Sequence, residues 1–198
     1  MTKPVALITG CSSGIGQALA LACLEADYQV FAAARRIETL DPLTAKGAIA
    51  IALDVNDPQQ RQQCVEQIRS QAGRLDLLVN NAGFGIRGGF LANDVDVEQQ
   101  LLEVMVVAVM RLTRAALPGM VERRRGYVFT VSSVAGWIAG GTYSAAKAWA
   151  TVFTEGLQAD LAGTGVRAVA VCPGYTQTEF HARAGINMGS ISDALWLD

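Results

Sequence analysis

A doubly wound α/β fold, with a parallel sheet covered by helices on both faces, is predicted by two features of the chain. Short apolar runs alternate with longer helix-like stretches, and the runs lack polar alternation, as strands buried on both faces do. The residues with chemical potential also fall in one kind of place, directly after the apolar runs, where open parallel sheets bind their ligands. Residues 5–9 read as the first strand and 14–26 as the helix that follows it. Residues 29–34 and 48–53 read as the second and third strands. Residues 57–72 read as a polar helix, opened by Asp57 with Pro58 at a first-turn position. Residues 75–79 form the fourth strand, and 95–124 contain a long helix. A strand at 127–131, a helix at 142–162 and a strand at 166–171 complete the pattern. With no internal repeat, linker or low-complexity tract, residues 1–198 read as one domain.

Composition narrows the function classes. Hydrophobic residues make up 51% and charged residues 17%, enough to build a substantial core. A net charge of −2 gives no basic footprint for nucleic acid, and the run Arg123-Arg124-Arg125 reads as a solvated helix end. Residues 101–121 are the longest apolar region, but they carry Glu103, Arg111 and Arg114, so no membrane span is expected. The N-terminus lacks a signal-peptide layout. Four cysteines without metal-ligand spacing suit reduced thiols in a cytoplasmic protein. His181 is the sole histidine, which argues against a histidine-built metal site or a Ser-His-Asp triad.

The segment Thr9-Gly10-Cys11-Ser12-Ser13-Gly14-Ile15-Gly16 sits between a strand and a helix, the context in which glycine-rich backbone cradles a pyrophosphate. Arg35 and Arg36 end the second strand, where a dinucleotide fold meets the adenosine ribose. An acid there binds a 2′-hydroxyl and an arginine a 2′-phosphate; Ala34 stands where the acid would be, so NADP (NADPH) is favoured over NAD. The alternative is that both arginines are solvated surface charges. Asp54, with Val55 beside it, is placed to meet the adenine; Asp54 is alternatively a helix cap, for which Asp57 is the better candidate. Asn81-Ala82-Gly83 supplies small residues for a close backbone approach, or simply a tight turn. Tyr143 and Lys147 are four residues apart on a predicted helix, hence on one face. An ammonium near the phenol would favour tyrosinate and lower a pKa that starts near ~10.

Together with Ser133 and Pro173-Gly174-Tyr175-Thr176-Gln177-Thr178, these ordered motifs resemble the short-chain dehydrogenase/reductase superfamily in its ordinary single-domain form, over almost the whole chain. The resemblance implies a Rossmann-type three-layer α/β/α fold, apparently lacking the last strand, with residues 176–198 as a partial substrate lid. It implies that Tyr143 is the general acid in carbonyl reduction and that Ser133 holds the substrate carbonyl. Lys147 would bind the nicotinamide ribose and depress the tyrosine pKa. Pro173, Gly174 and Thr176 would border the nicotinamide, with Thr178 near a phosphate. The implied activity is NADP-dependent interconversion of a secondary alcohol and a ketone or aldehyde, on a small apolar substrate. Trp137, Phe84, Tyr175 and Phe180 are candidates to line an apolar pocket.

Three departures from the family pattern stand out. Met105 occupies a place where such relatives carry an asparagine that holds water in a proton path, and a thioether donates nothing. Ser133 and Tyr143 lie ten positions apart, a short interval that Gly136, Gly140 and Gly141 would let a tight loop close, with Ser132 as a fallback. The chain stops at Asp198, short of a further helix and strand. These features motivate an alternative, a nucleotide-binding protein of the same fold with impaired turnover or none. The long helices at 101–121 and 145–161 are apolar on more than one face, so a homodimer or higher homo-oligomer is expected.

Overall fold

The computed structural model describes residues 2–180, 185 and 196–197. Most of the expected lid, 176–198, therefore lies outside the described residues. Six parallel strands form the central sheet: β1 (Val5–Thr9), β2 (Gln29–Ala34), β3 (Ile49–Ala52), β4 (Leu77–Asn80), β5 (Gly126–Val131) and β6 (Val166–Val171). Their spatial order, β3-β2-β1-β4-β5-β6, is that of the Rossmann fold, with the order reversing between β1 and β4.

The uninterrupted apolar character of the strands has a direct cause. Val5 and Leu7 of β1 and Phe31 and Ala33 of β2 face one core, while Ala6, Ile8, Val30, Ala32 and Ala34 face the other. The first core is closed by α3 (Pro58–Ala72), α5 (Ala108–Glu122) and α6 (Gly141–Asp160), through Cys64, Ile68, Ala108, Leu112, Met120 and Leu157. The second is closed by α1 (Gly14–Glu25) and by a short helical pair, Ile37–Leu40 and α2 (Asp41–Thr44), that the sequence did not announce. Asp57 caps α3, its Oδ1 accepting from the amides of Gln59 and Gln60, and these bonds lower the carboxyl's pKa. Burial pushes the thiols of Cys11 and Cys64 up to about 12, and all four cysteines are free.

The long helix expected at 95–124 is interrupted. α4 (Val95–Leu102) passes through a π turn at Glu103–Val107 before α5 resumes the ordinary pitch. A π turn inserts a residue into the helical ladder, a feature common near functional sites. By length and apolar content the run Val95–Glu122 suffices to cross a bilayer, but here Ala108, Leu112 and Met120 are spent on the core. At the sheet's open edge, β6 is covered on one face only. Val166 and Ala168 are buried, whereas Val169 and Val171 are 41% and 42% exposed. Beyond β6, β7 (Tyr175–Thr176) pairs in parallel with β8 (Trp196–Leu197) in a separate two-stranded ribbon.

One lock joins the first and fourth strands at their carboxyl ends. The Thr9 hydroxyl donates to the carbonyl of Val79 (3.2 Å) and accepts from the amides of Asn81 (3.0 Å) and Ala82 (3.1 Å). Asn81 Nδ2 returns the contact, donating to the carbonyls of Thr9 (2.8 Å) and Gly10 (3.2 Å). Thr9 is 1% exposed, so water cannot replace these partners. Thr9→Val, which keeps the shape and removes the oxygen, should cost about 2–4 kcal/mol in urea denaturation by stranding two amides. A loss below about 0.5 kcal/mol, the range of a neutral surface change, would show that the lock carries little.

Candidate active site

The glycine-rich loop is shaped by approaches too close for any side chain. Gly10 has φ +71°, and a Cβ there would stand 2.9 Å from both the Ala82 Cα and Asn81 Nδ2. A Cβ on Gly16 would collide with the Gly10 carbonyl and with Asn81 Nδ2. Ser12, Ser13 and Ile15 lie between these fixed points, and the Cys11 amide donates to the Ala33 carbonyl at 3.0 Å, hooking the loop to β2. Ser13, at the N-cap of α1, makes no side-chain cap, and the first turn holds no acidic residue. Free amides and the positive end of a helix dipole fit the pyrophosphate of a dinucleotide. Thr178 closes this cradle from the other side, its Cβ 3.1 Å from where a Cβ on Gly14 would stand. Two segments more than 150 positions apart in sequence thus meet where the resemblance places a phosphate.

Arg35 and Arg36 leave the end of β2 as exposed side chains. Asp54 is half-buried, its Oδ1 accepting from the Asn56 amide at 3.0 Å, while its own amide donates to Gln60 Oε1 at 2.7 Å. Its carboxylate thus shapes the turn after β3. Val55 is buried in the core with only its backbone turned to the turn, where its carbonyl accepts from Arg61 Nη1 at 2.6 Å. A Cβ on Gly83 would stand 2.7 Å from Met105 Cε, the end of a flexible side chain that packs over this turn.

The two serines after β5 have different fates. The Ser132 hydroxyl is buried, donating to the Lys147 carbonyl at 2.7 Å and lying 2.8 Å from Thr151 Oγ1. It fastens α6 to the sheet, which removes it as the fallback. Ser133 faces the opposite way: its hydroxyl accepts from the Ala135 amide at 3.1 Å, donates to the Pro173 carbonyl at 3.5 Å, and lies near enough to the Tyr143 phenol to act on its pKa. The short interval between them closes through a 3₁₀ turn, Val134–Trp137, that lies directly on α6. A Cβ on Gly136 would stand 2.9 Å from the Ala148 amide nitrogen, so only glycine lets the turn come this near. The Val134 amide donates to the Pro173 carbonyl at 3.1 Å, which brings Pro173, Gly174 and Thr176 to the same edge; Thr176 Oγ1 donates to the Gly174 carbonyl at 3.3 Å.

Tyr143 and Lys147 share a face, with the ammonium 5.7 Å from the ring centroid. The electrostatic consequence differs from the sequence expectation. Tyr143 packs on the buried cluster of Leu101, Met105 and Ala146, as Phe84 and Ile86 do, with the Phe180 ring 5.7 Å from its own. Burial there raises the phenol's pKa above its ordinary value, and Ser133 only partly opposes it. Desolvation outweighs any help from Lys147, whose Nζ donates to the Val131 carbonyl at 2.7 Å. The same desolvation acts on Lys147 in the opposite sense, depressing its pKa to about 8.

Other residues escaped the sequence reading. Thr9 carries the lock but looks like any strand-end threonine. Glu98 of α4 is 5% exposed; its Oε1 accepts from Asn93 Nδ2 at 2.8 Å and pins the loop after Gly83 to the helix. Its one signal is an acid on the face that also carries Leu101 and Met105. A cleft of about 430 Å³ lies beside Asn56 and α4, and another of about 690 Å³ lies at the opposite end of the sheet near Thr2 and Arg74. Neither includes Ser133, Tyr143 or Lys147. No cluster able to hold a metal occurs among the described residues.

Comparison with known proteins agrees with this geometry. The short chain dehydrogenase family model matches residues 4–188. An uncharacterized oxidoreductase of Myxococcus xanthus is 37% identical over 191 residues, covering 92% of this chain and 76% of its own. The chain spans only 61–65% of the length of several other curated relatives. Among solved structures, a short-chain dehydrogenase from Sphingobium yanoikuyae in complex with NADPH superposes with a TM-score of 0.89 at 30% identity, over 98% of this chain and 79% of that one. A 3-ketoacyl-(acyl-carrier-protein) reductase from Brucella melitensis complexed with NADH gives 0.86 at 28% identity, over 91% and 79%. Six parallel strands in Rossmann order, a glycine cradle at their carboxyl edge and a family match over nearly the whole length lead to one conclusion: this chain belongs to the short-chain dehydrogenase family.

Proposed function

We propose that the protein is an NADP-dependent oxidoreductase that interconverts a secondary alcohol and a ketone or aldehyde on a small apolar substrate. The observation that carries this reading is the convergence of Ser133, Tyr143 and Lys147 at the sheet edge that also holds the glycine cradle. When bound, the dihydronicotinamide supplies a hydride to the carbonyl carbon. Tyr143 gives its phenolic proton to the carbonyl oxygen, a role suited to a phenol that burial keeps neutral at physiological pH. Ser133 holds that oxygen beside the phenol. Lys147 offers a buried cation one helical turn away, to bind the ribose and stabilise the tyrosinate as it forms. Arg35 and Arg36, exposed after β2 with Ala34 before them, support the preference for a 2′-phosphate.

A cofactor that binds only the folded state raises apparent stability by about 2.7 kcal/mol at a hundred times its Kd. NADPH should shift Tm clearly and NADH little, and Arg35→Ala/Arg36→Ala should erase the difference. Equal shifts with both cofactors would remove the 2′-phosphate reading. Carbonyl reduction should hold steady through neutral pH and decline as pH rises through about 8, where Lys147 loses its proton. An activity unchanged up to pH 10 would deny the lysine its charged role.

Met105 favours a second reading, a nucleotide-binding protein of low turnover. It lies in the π turn, is 3% exposed, and packs on Gly83 and in the cluster against which Tyr143 sits, so that wall of the site is apolar where a proton path needs a donor. Met105→Asn should raise kcat without changing the cofactor's Kd. An unchanged kcat would dispose of a relay defect at this position.

A further inference from the structure

The loops around Tyr143 expose large apolar side chains that the described core does not use. The loop leading from β4 into α4 presents Phe90 (61% exposed), Leu91 (98%) and Val95 (66%). The loop after β5 presents Trp137 (69%) and Ile138 (65%), and the β7–β8 ribbon presents Leu197 (50%). Single exposed apolar residues are ordinary, but several from separate segments at one end of a sheet mark a binding surface.

Each segment also reaches the reacting group. Phe84 and Ile86 begin the first loop and pack on the same buried cluster, Leu101, Met105 and Ala146, as Tyr143 does. Ser133 begins the second and lies near enough to the Tyr143 phenol to act on its pKa. Phe180 ends the third, with its ring 5.7 Å from the phenol ring. The rim is held in place: Asn93 is tied to Glu98, the turn bearing Trp137 lies on α6, and the Tyr175 and Trp196 rings sit 5.9 Å apart. Among the described residues of these segments (81–94, 132–140, 172–180 and 196–197), Arg87 is the one cation. That charge pattern suits neither an anionic chain end nor an anionic membrane surface.

Resting on the proposed activity, we infer that the substrate carries a long uncharged alkyl chain on its carbonyl carbon. The carbonyl lies against Ser133 and Tyr143, and the chain runs outward over Phe84 and Ile86 onto the rim formed by Phe90, Leu91, Trp137 and Ile138. The apolar surface near the phenol alone would serve a short ketone; the rim extends it for a longer one.

The test uses the full chain with NADPH and a series of 2-alkanones from butanone to 2-dodecanone. Burial of each methylene is worth about a fourfold gain in kcat/KM, so the series should climb with length until the chain passes the rim. Leu91→Asp and Trp137→Ser should flatten the climb through KM while Tm stays near that of the parent. The matching 2-alkanols, read by thermal shift in the presence of NADP, need no turnover, and their stabilisation should grow with chain length. A response flat or falling with length, in rates or in shifts, would overturn the inference while leaving the short-ketone activity standing. Binding to neutral phosphatidylcholine vesicles together with such a flat response would make the rim a lipid contact and overturn it equally. Absence of any cofactor shift and of any ketone reduction would instead sink the underlying activity, and the alkanol shifts would still decide the chain.

Discussion

The site depends on one constraint, the lock in which the Thr9 hydroxyl and the Asn81 side chain bind each other's backbone. It joins the ends of β1 and β4, the point at which the strand order reverses and a crevice opens. With the amide of Asn81 held against the Gly10 carbonyl, no volume remains for a Cβ at Gly10 or Gly16. The glycines are therefore required by what the neighbouring strand pushes into the loop as much as by turn geometry. The same packing leaves the first amides of α1 without a side-chain cap, available to a phosphate.

A second theme is that one environment moves two groups in opposite directions. Burial penalises charge, so it holds the phenol of Tyr143, packed on Leu101, Met105 and Ala146, neutral and weakens the proton's hold on Lys147. Spacing alone suggests that the lysine would dominate its neighbour. Desolvation dominates instead, and the ammonium donates to the Val131 carbonyl. A neutral acid and a cation poised near neutral pH are well matched to delivering one proton and stabilising what it leaves behind.

The third theme is uneven cover. β1 and β2 are buried on both faces, whereas β6 is covered on one, and the loops beyond the carboxyl edge expose Phe90, Leu91, Trp137 and Ile138. The half of the fold built around the glycine loop is closely packed, and the apolar surface that remains open lies on β6 and the loops beyond the carboxyl edge.

The sequence by itself determined the fold class, the order of elements and the identity of most residues at the carboxyl edge. Strands buried on both faces must be apolar throughout, and a phosphate cradle must be glycine-rich, so both write themselves into composition. Asp57 and Pro58 announced α3 for the same reason, since an uncapped helix end must find a partner. The short helical pair at 37–44, the π turn at 103–107 and the roles of Thr9 and Glu98 left no such mark, being set by partners distant in the chain. Only tertiary structure separated Ser132, spent on Lys147 and Thr151, from Ser133 beside Tyr143. It alone gave the sign of the Tyr143 shift, because a pKa answers to the field and solvent of every group packed around it, and sequence spacing specifies only one of them.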